Sequence, residues 1–176
     1  MNYSIRFATR DDARQLADLY NYYIKNSIAT FDLNLMTTED REVWIEDHQP
    51  SSRYKILVAE EHETGKLLGY SSSSPFRMKA AYDTSVETSI YIDLDHYGKG
   101  VGNRLYGELF TLLSKEDIHR AYACITVPNE SSVLLHEKFG FIEVGYFTES
   151  GLKHGAYRDI RWMEKRFSNK DLNLSS

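Results

Sequence analysis

Cysteine is almost missing from this chain. Cys124 stands alone among 176 residues, so no internal disulfide can form and a disulfide-stapled scaffold is excluded. No stretch has the length and greasiness of a signal peptide or a membrane span, and the expected compartment is the cytoplasm. Nor is there an excess of positive charge. With 21 Lys and Arg against 26 Asp and Glu the formal charge is −5, and the basic residues are scattered. A nucleic-acid surface and an anionic membrane are therefore poor main partners, and the acidic excess reads as solubility. Repeats, low-complexity tracts and linkers are absent too, which leaves one domain over residues 1–167 and a polar, frayed tail over 168–176. Cys124 itself sits in "YACITV", a strand pattern, and reads as a small buried hydrophobe, not a nucleophile.

What is present alternates between strands and helices. "YSIRFA" predicts a short strand, and Thr9 with Asp12 offers a cap to a helix carrying Ala13, Leu16, Ala17, Tyr20, Tyr23 and Ile24 at helical spacing. A second helix begins at Thr37 or Thr38 and stops before Pro50. "YKILVAEE" and "KLLGYSSS" form a hairpin about "HETG", and a long strand covers residues 84–93 after the loop "PFRMKAAYD". A third helix presents Val101, Leu105, Leu109 and Leu112 on one side. "RAYACITV" is a strand, "NESSVLLHEKF" a short helix closed by Gly140, and "FIEVGYFTE" and "AYRDIRWMEK" are two final strands. This order predicts an α/β or α+β fold, one mixed sheet covered by helices.

Ligands of such sheets collect at the carboxyl ends of strands, and "HYGKGVGNRLY" puts Gly98, Gly100 and Gly102 at one, just ahead of the third helix. Glycines there let backbone N–H groups approach an anion that the helix N-terminus also attracts, phosphate above all. A tight turn needing positive φ explains the same residues without a ligand. The Lys-Ser/Thr ending of a P-loop and the ribose-binding acid of a dinucleotide fold are both missing, so ATP and NAD recede, and a nucleotide-binding module stays as the third reading.

Read with its neighbours, "YGKGVG" resembles the pyrophosphate loop of the GNAT acyltransferases, although Tyr97 occupies the usual Gln or Arg position. "VPNESSVLLHEKFGF" resembles that superfamily's second signature. "FATRDDARQLADLYNYYIKNSIATFD", "SPFRMKAAYDTSVETSIYI" and "GLKHGAYRDIRWM" are similar, in order and spacing, to the phosphinothricin and methionine sulfone N-acetyltransferases, over residues 5–167. The resemblance implies a GNAT fold whose two central parallel strands splay apart, acetyl-CoA as co-substrate, no metal, a primary amine as acceptor and a homodimer. The backbone of Ile90, Tyr91 and Ile92 would run beside the pantetheine, with one N–H holding the thioester oxygen. The loop of Tyr97, Gly98, Lys99, Gly100, Val101 and Gly102 would take the pyrophosphate. Asn129 and Ser132 would bond the pantetheine region, Asn129 doubling as a helix N-cap.

Two side chains carry the expected chemistry. An amine arrives as ammonium and must lose a proton before it attacks. Glu87 alternates against Val86, Thr88, Ile90 and Ile92, so its carboxylate is largely covered, which raises its pKa toward that of a useful base. A structural ion pair is the other reading of Glu87. His136 stands where many GNAT enzymes carry a tyrosine acid, seven residues and about two turns after Asn129. It is expected to protonate the departing thiolate; a helix histidine bonded to a backbone carbonyl is the alternative. By the same resemblance Phe31, Arg77, Tyr82 and Val86 join Glu87 around the acceptor, with Arg77 matched to a carboxylate. Phosphinothricin, methionine sulfone and methionine sulfoximine are the implied acceptors. A polyamine, an aminoglycoside, a protein N-terminus or a non-catalytic CoA-binding regulator are the alternatives. No argument from sequence assigns His154.

Overall fold

The computed structural model describes residues 2–167; the predicted polar tail lies outside the described residues. Seven strands form one sheet in the order β1-β2-β3-β4-β5-β7-β6. β1 (Tyr3–Phe7), β2 (Ile56–Glu61), β3 (Leu67–Pro75) and β4 (Ser85–Ile92) make an antiparallel half. β5 (Arg120–Thr126), β7 (Ala156–Arg166) and β6 (Ile142–Lys153) make another. Among the described residues only β4 and β5 run parallel, and they join the halves.

α1 (Ala13–Asn26) follows a capping box in which Thr9 and Asp12 satisfy each other's end groups, as expected from sequence. Arg6 then grips both carboxylate oxygens of Asp12 at 2.7 Å, fixing the helix start to β1. α2 (Thr38–Glu46) starts from a second box, Thr37 with Asp40. α3 (Val101–Leu113) leads from β4 toward β5, and α4 (Glu130–Lys138) is capped by Asn129, whose side chain accepts from Ser132 N–H. Among the described residues no helix is long and apolar enough to cross a membrane.

Strand alternation splits the core in two. Ile56, Val58 and Tyr70 face α1 and α2, while Leu57, Ala59, Val86 and Ile92 face α3 and α4. The buried stripe of α3 is Val101, Leu105, Tyr106, Leu109, Phe110 and Leu113. Leu112, expected in it, is only half-buried and packs at its margin. β6 runs on to Lys153, past the predicted end, because two register shifts against β7 let it bend and keep pairing.

Candidate active site

β4 and β5 pair for three residues, ending at Glu87 opposite Tyr122. Beyond that point β4 stays with β3 as far as Ile92, and β5 stays with β7 as far as Thr126. The two central strands must therefore part. A cleft of about 410 Å³ opens between them, and the β4 edge over residues 88–92 has no strand partner there, which frees its N–H groups for a ligand.

Ile90, Tyr91 and Ile92 form one wall of this cleft, and Asn129, Ser132 and His136 come to it from α4. Its far end is the glycine loop, with Tyr97, Gly98, Gly100, Val101 and Gly102 all lining it. Gly98 (φ 71°) and Gly100 (φ 82°) are left-handed, as a tight turn demands. Gly100 is also the N-cap of α3 and has no side chain to cap it, so the first turn offers its N–H groups and its dipole to an anion in the cleft. Lys99 departs from the expectation: it is exposed and outside the cleft, its N–H taken by the His96 carbonyl at 3.3 Å. Tyr97 does more than replace a polar side chain, since its hydroxyl donates to Tyr23 (2.9 Å), whose own O–H is given to the Ile92 carbonyl (2.6 Å).

Glu87 sits where the strands part, on the face shared with Ser89 and Tyr91. It is half-buried; burial raises its pKa and Arg77 pulls the other way. Cys124 corrects the sequence reading. It is exposed because it follows the last β4–β5 pair and borders the open cleft, though burial among the walls still pushes its thiol up to about 11. His136 is 3% exposed. Its Nδ1–H donates to the Ser132 carbonyl (2.7 Å), which leaves Nε2 to accept from the Tyr106 hydroxyl (2.9 Å). Burial drives its pKa to about 4. The ring is thus neutral with Nε2 occupied as an acceptor, which matches the carbonyl-bonded alternative and does not present a proton to a thiolate.

The acceptor residues disperse. Val86 is fully buried on the opposite face of β4, against α3, and cannot touch an acceptor. Arg77 is exposed, its guanidinium 4.3 Å from the Phe76 ring and 5.7 Å from that of Trp162. Phe76 stacks on Tyr122 at 4.2 Å and meets Tyr82 edge-on. Phe31 lies against Gly151 of β6. Sequence reasoning missed Tyr106 and a second pocket of about 280 Å³ holding Arg41, Trp44, Tyr70 and Ser89; nothing in helical spacing separates such residues from ordinary packing.

Residues 5–162 match the model of the acetyltransferase (GNAT) domain family. The chain belongs to that family. This acetyltransferase is 44% identical to the phosphinothricin N-acetyltransferase of Streptomyces coelicolor, across 92% of this chain and 94% of that one. It is 30% identical to the L-methionine sulfoximine/L-methionine sulfone acetyltransferase of Salmonella typhimurium, across 92% of each. Its fold superposes with a TM-score of 0.89 on the phosphinothricin acetyltransferase of Sinorhizobium meliloti solved with AcCoA, at 28% identity, covering 96% of this chain and 90% of that one. The cleft fits acetyl-CoA: an unpaired strand edge for amides, apolar Ile90, Ile125 and Leu135 for the arm, and an uncapped helix N-terminus for a diphosphate.

Proposed function

We propose that the protein acetylates the primary amine of a small amino acid of the phosphinothricin or methionine sulfone type, with acetyl-CoA as donor. One observation carries the reading: Glu87, a half-buried carboxylate with a raised pKa, sits at the point where β4 and β5 part and the cleft begins. Bound acetyl-CoA supplies a thioester carbonyl as electrophile. Glu87 takes one proton from the acceptor's ammonium, and an N–H on the open β4 edge holds the carbonyl oxygen as charge grows there. The nitrogen forms its bond to the acyl carbon, the carbon–sulfur bond breaks, and the amine's second proton ends on the thiolate. His136 fixes Tyr106 in the cleft wall, and Arg77, within electrostatic reach of Glu87, receives the acceptor's α-carboxylate. Ile142, Val144, Phe147, Leu152 and Tyr157 are exposed on β6 and β7, and β6 is a sheet edge, which supports pairing with a second copy; light scattering at micromolar protein should read twice 20.4 kDa.

Thiol release with methionine sulfone tests the chemistry. Glu87→Gln should lose roughly 100- to 10,000-fold in kcat while calorimetric acetyl-CoA binding persists. Wild-type activity should fall as pH drops below the raised Glu87 pKa, and the variant should lack that limb. Unchanged turnover in the variant rules out Glu87 as base and leaves a CoA-binding regulator as the better reading.

A further inference from the structure

His48 stands two residues past the end of α2 and is only 8% exposed. Its ring packs against those of Trp44 and Tyr54, at 5.0 and 6.5 Å between centres. Both ring nitrogens are engaged: Nδ1 lies 2.6 Å from the Trp44 carbonyl oxygen, and Nε2 lies 2.9 Å from the Ser74 hydroxyl on β3. A carbonyl can only accept, so Nδ1 carries the hydrogen, and in a neutral ring Nε2 is left as the acceptor. The Ser74 hydroxyl therefore donates to His48. Burial holds the pKa of the ring below the ordinary histidine value, and nearby Arg41 lowers it further, against the opposing pull of the Trp44 carbonyl and Asp47. The ring is neutral at pH 7.

Ser74 is the cross-strand partner of Glu87. Residues directly opposite in an antiparallel pair share a face, with Cβ atoms about 4.5–5.5 Å apart, so the hydroxyl and the carboxyl group are within reach of each other. Both residues are half-buried. No hydrogen bond among the described residues holds Glu87; burial raises its pKa, and Arg77 pulls the other way. Tyr122 pairs with Glu87 on β5, and the Cys124 thiol lies in its field. Because the Ser74 hydrogen is committed to His48, Ser74 turns oxygen lone pairs toward Glu87. Lone pairs repel a carboxylate and accept from a carboxylic acid.

We propose that His48 is a positioning residue for acetyl transfer: by holding the Ser74 hydrogen, it keeps Ser74 an acceptor for the O–H that Glu87 gains from the acceptor's ammonium. The proton moves from nitrogen to the Glu87 carboxylate and stays there during the step, while the hydrogens of Ser74 and His48 remain where they are. His48 thus acts through Ser74 and touches neither substrate nor acetyl-CoA. This proposal rests on Glu87 as the base.

The pH profile of kcat with methionine sulfone tests it in wild type, His48→Leu, His48→Gln, Ser74→Ala and the double variant His48→Leu/Ser74→Ala. His48→Leu frees the hydroxyl to donate to the carboxylate. Its acidic limb should move down by about 0.5–1 pH unit, the worth of one hydrogen bond, and its plateau kcat should fall about 3- to 10-fold. In His48→Gln the amide oxygen can take the same hydrogen, so most of both losses should be recovered. Ser74→Ala should lose kcat to a similar degree, and adding His48→Leu to it should cost nothing more. Calorimetric titration with acetyl-CoA reports an intact fold in each variant, since neither residue lines the cleft. An acidic limb unmoved in His48→Leu, or a further loss of kcat when His48→Leu is added to Ser74→Ala, overturns this proposal and leaves Glu87 as base. Wild-type turnover in Glu87→Gln overturns the base, and this proposal with it.

Discussion

Replacing Gly151 with alanine would place a Cβ 2.3, 2.6 and 2.7 Å from three ring carbons of Phe31. Carbon contacts settle near 3.5–4.0 Å, so the ring must retreat by about 1 Å. It has little freedom to do so. Phe31 lies between Thr30 and Asp32, whose carbonyls both accept from the buried Lys153 ammonium, at 2.6 and 2.8 Å. Overpacking of this kind costs about 1–3 kcal/mol, and at this chain length each kcal/mol lowers Tm by roughly 2–4 °C. Part of the displacement is passed to the segment of Phe31 and Asp32, the stretch expected to face the acceptor. The KM for methionine sulfone should therefore rise about tenfold, equivalent to about 1.4 kcal/mol. The KM for acetyl-CoA should hold, because neither Gly151 nor Phe31 lines the cleft. Scanning calorimetry and two-substrate kinetics on Gly151→Ala provide both readouts. A lowered Tm with the acceptor KM unmoved, or equal increases in both KM values, refutes the assignment of this segment to the acceptor side.

Gly107 gives the opposite expectation: it lies inside α3, and a methyl group added there would meet nothing within 4 Å, so Gly107→Ala should stabilise by about 0.5–1 kcal/mol and raise Tm with kinetics unaltered. His136 makes stability depend on pH. Its folded pKa of about 4 lies below the ordinary histidine value of 6.5, so the unfolded chain binds the proton first; the stabilisation is whole above 6.5 and drains away toward pH 4, by roughly 3 kcal/mol. Urea unfolding at pH 7 and 4.5 should show that slope in wild type and a shallower one in His136→Asn, and NMR should show the ring neutral at pH 6.

Much of the fold was written locally. The Thr9/Asp12 and Thr37/Asp40 boxes, the "HETG" hairpin and the glycines ahead of α3 are short-range signals, and short-range sterics and hydrogen bonds act on them directly. The glycine turn ahead of α3 was legible for the same reason, since its positive φ values and the helix start behind it involve neighbours in sequence. Glu87 was legible through period-two alternation, which assigns it the face opposite Val86.

Other features depended on partners distant in the chain. Cys124 has the pattern of a buried strand residue, and only the departure of β4 after Glu87 exposes it. His136 has the position of an acid, yet Tyr106, thirty residues away, and the Ser132 carbonyl turn its ring into an acceptor. Arg41 sits in a short helix with few buried positions, and its burial between Tyr20 and Trp44 appears only where α1, α2 and two strands enclose it. Sequence by itself determined the elements, their caps and the glycine turn ahead of α3, because those arise among residues a few positions apart. Tertiary structure alone decided the cleft, the protonation of its histidine and the pocket beside Glu87, because burial and hydrogen-bond partnership belong to surfaces that meet only when the sheet has formed.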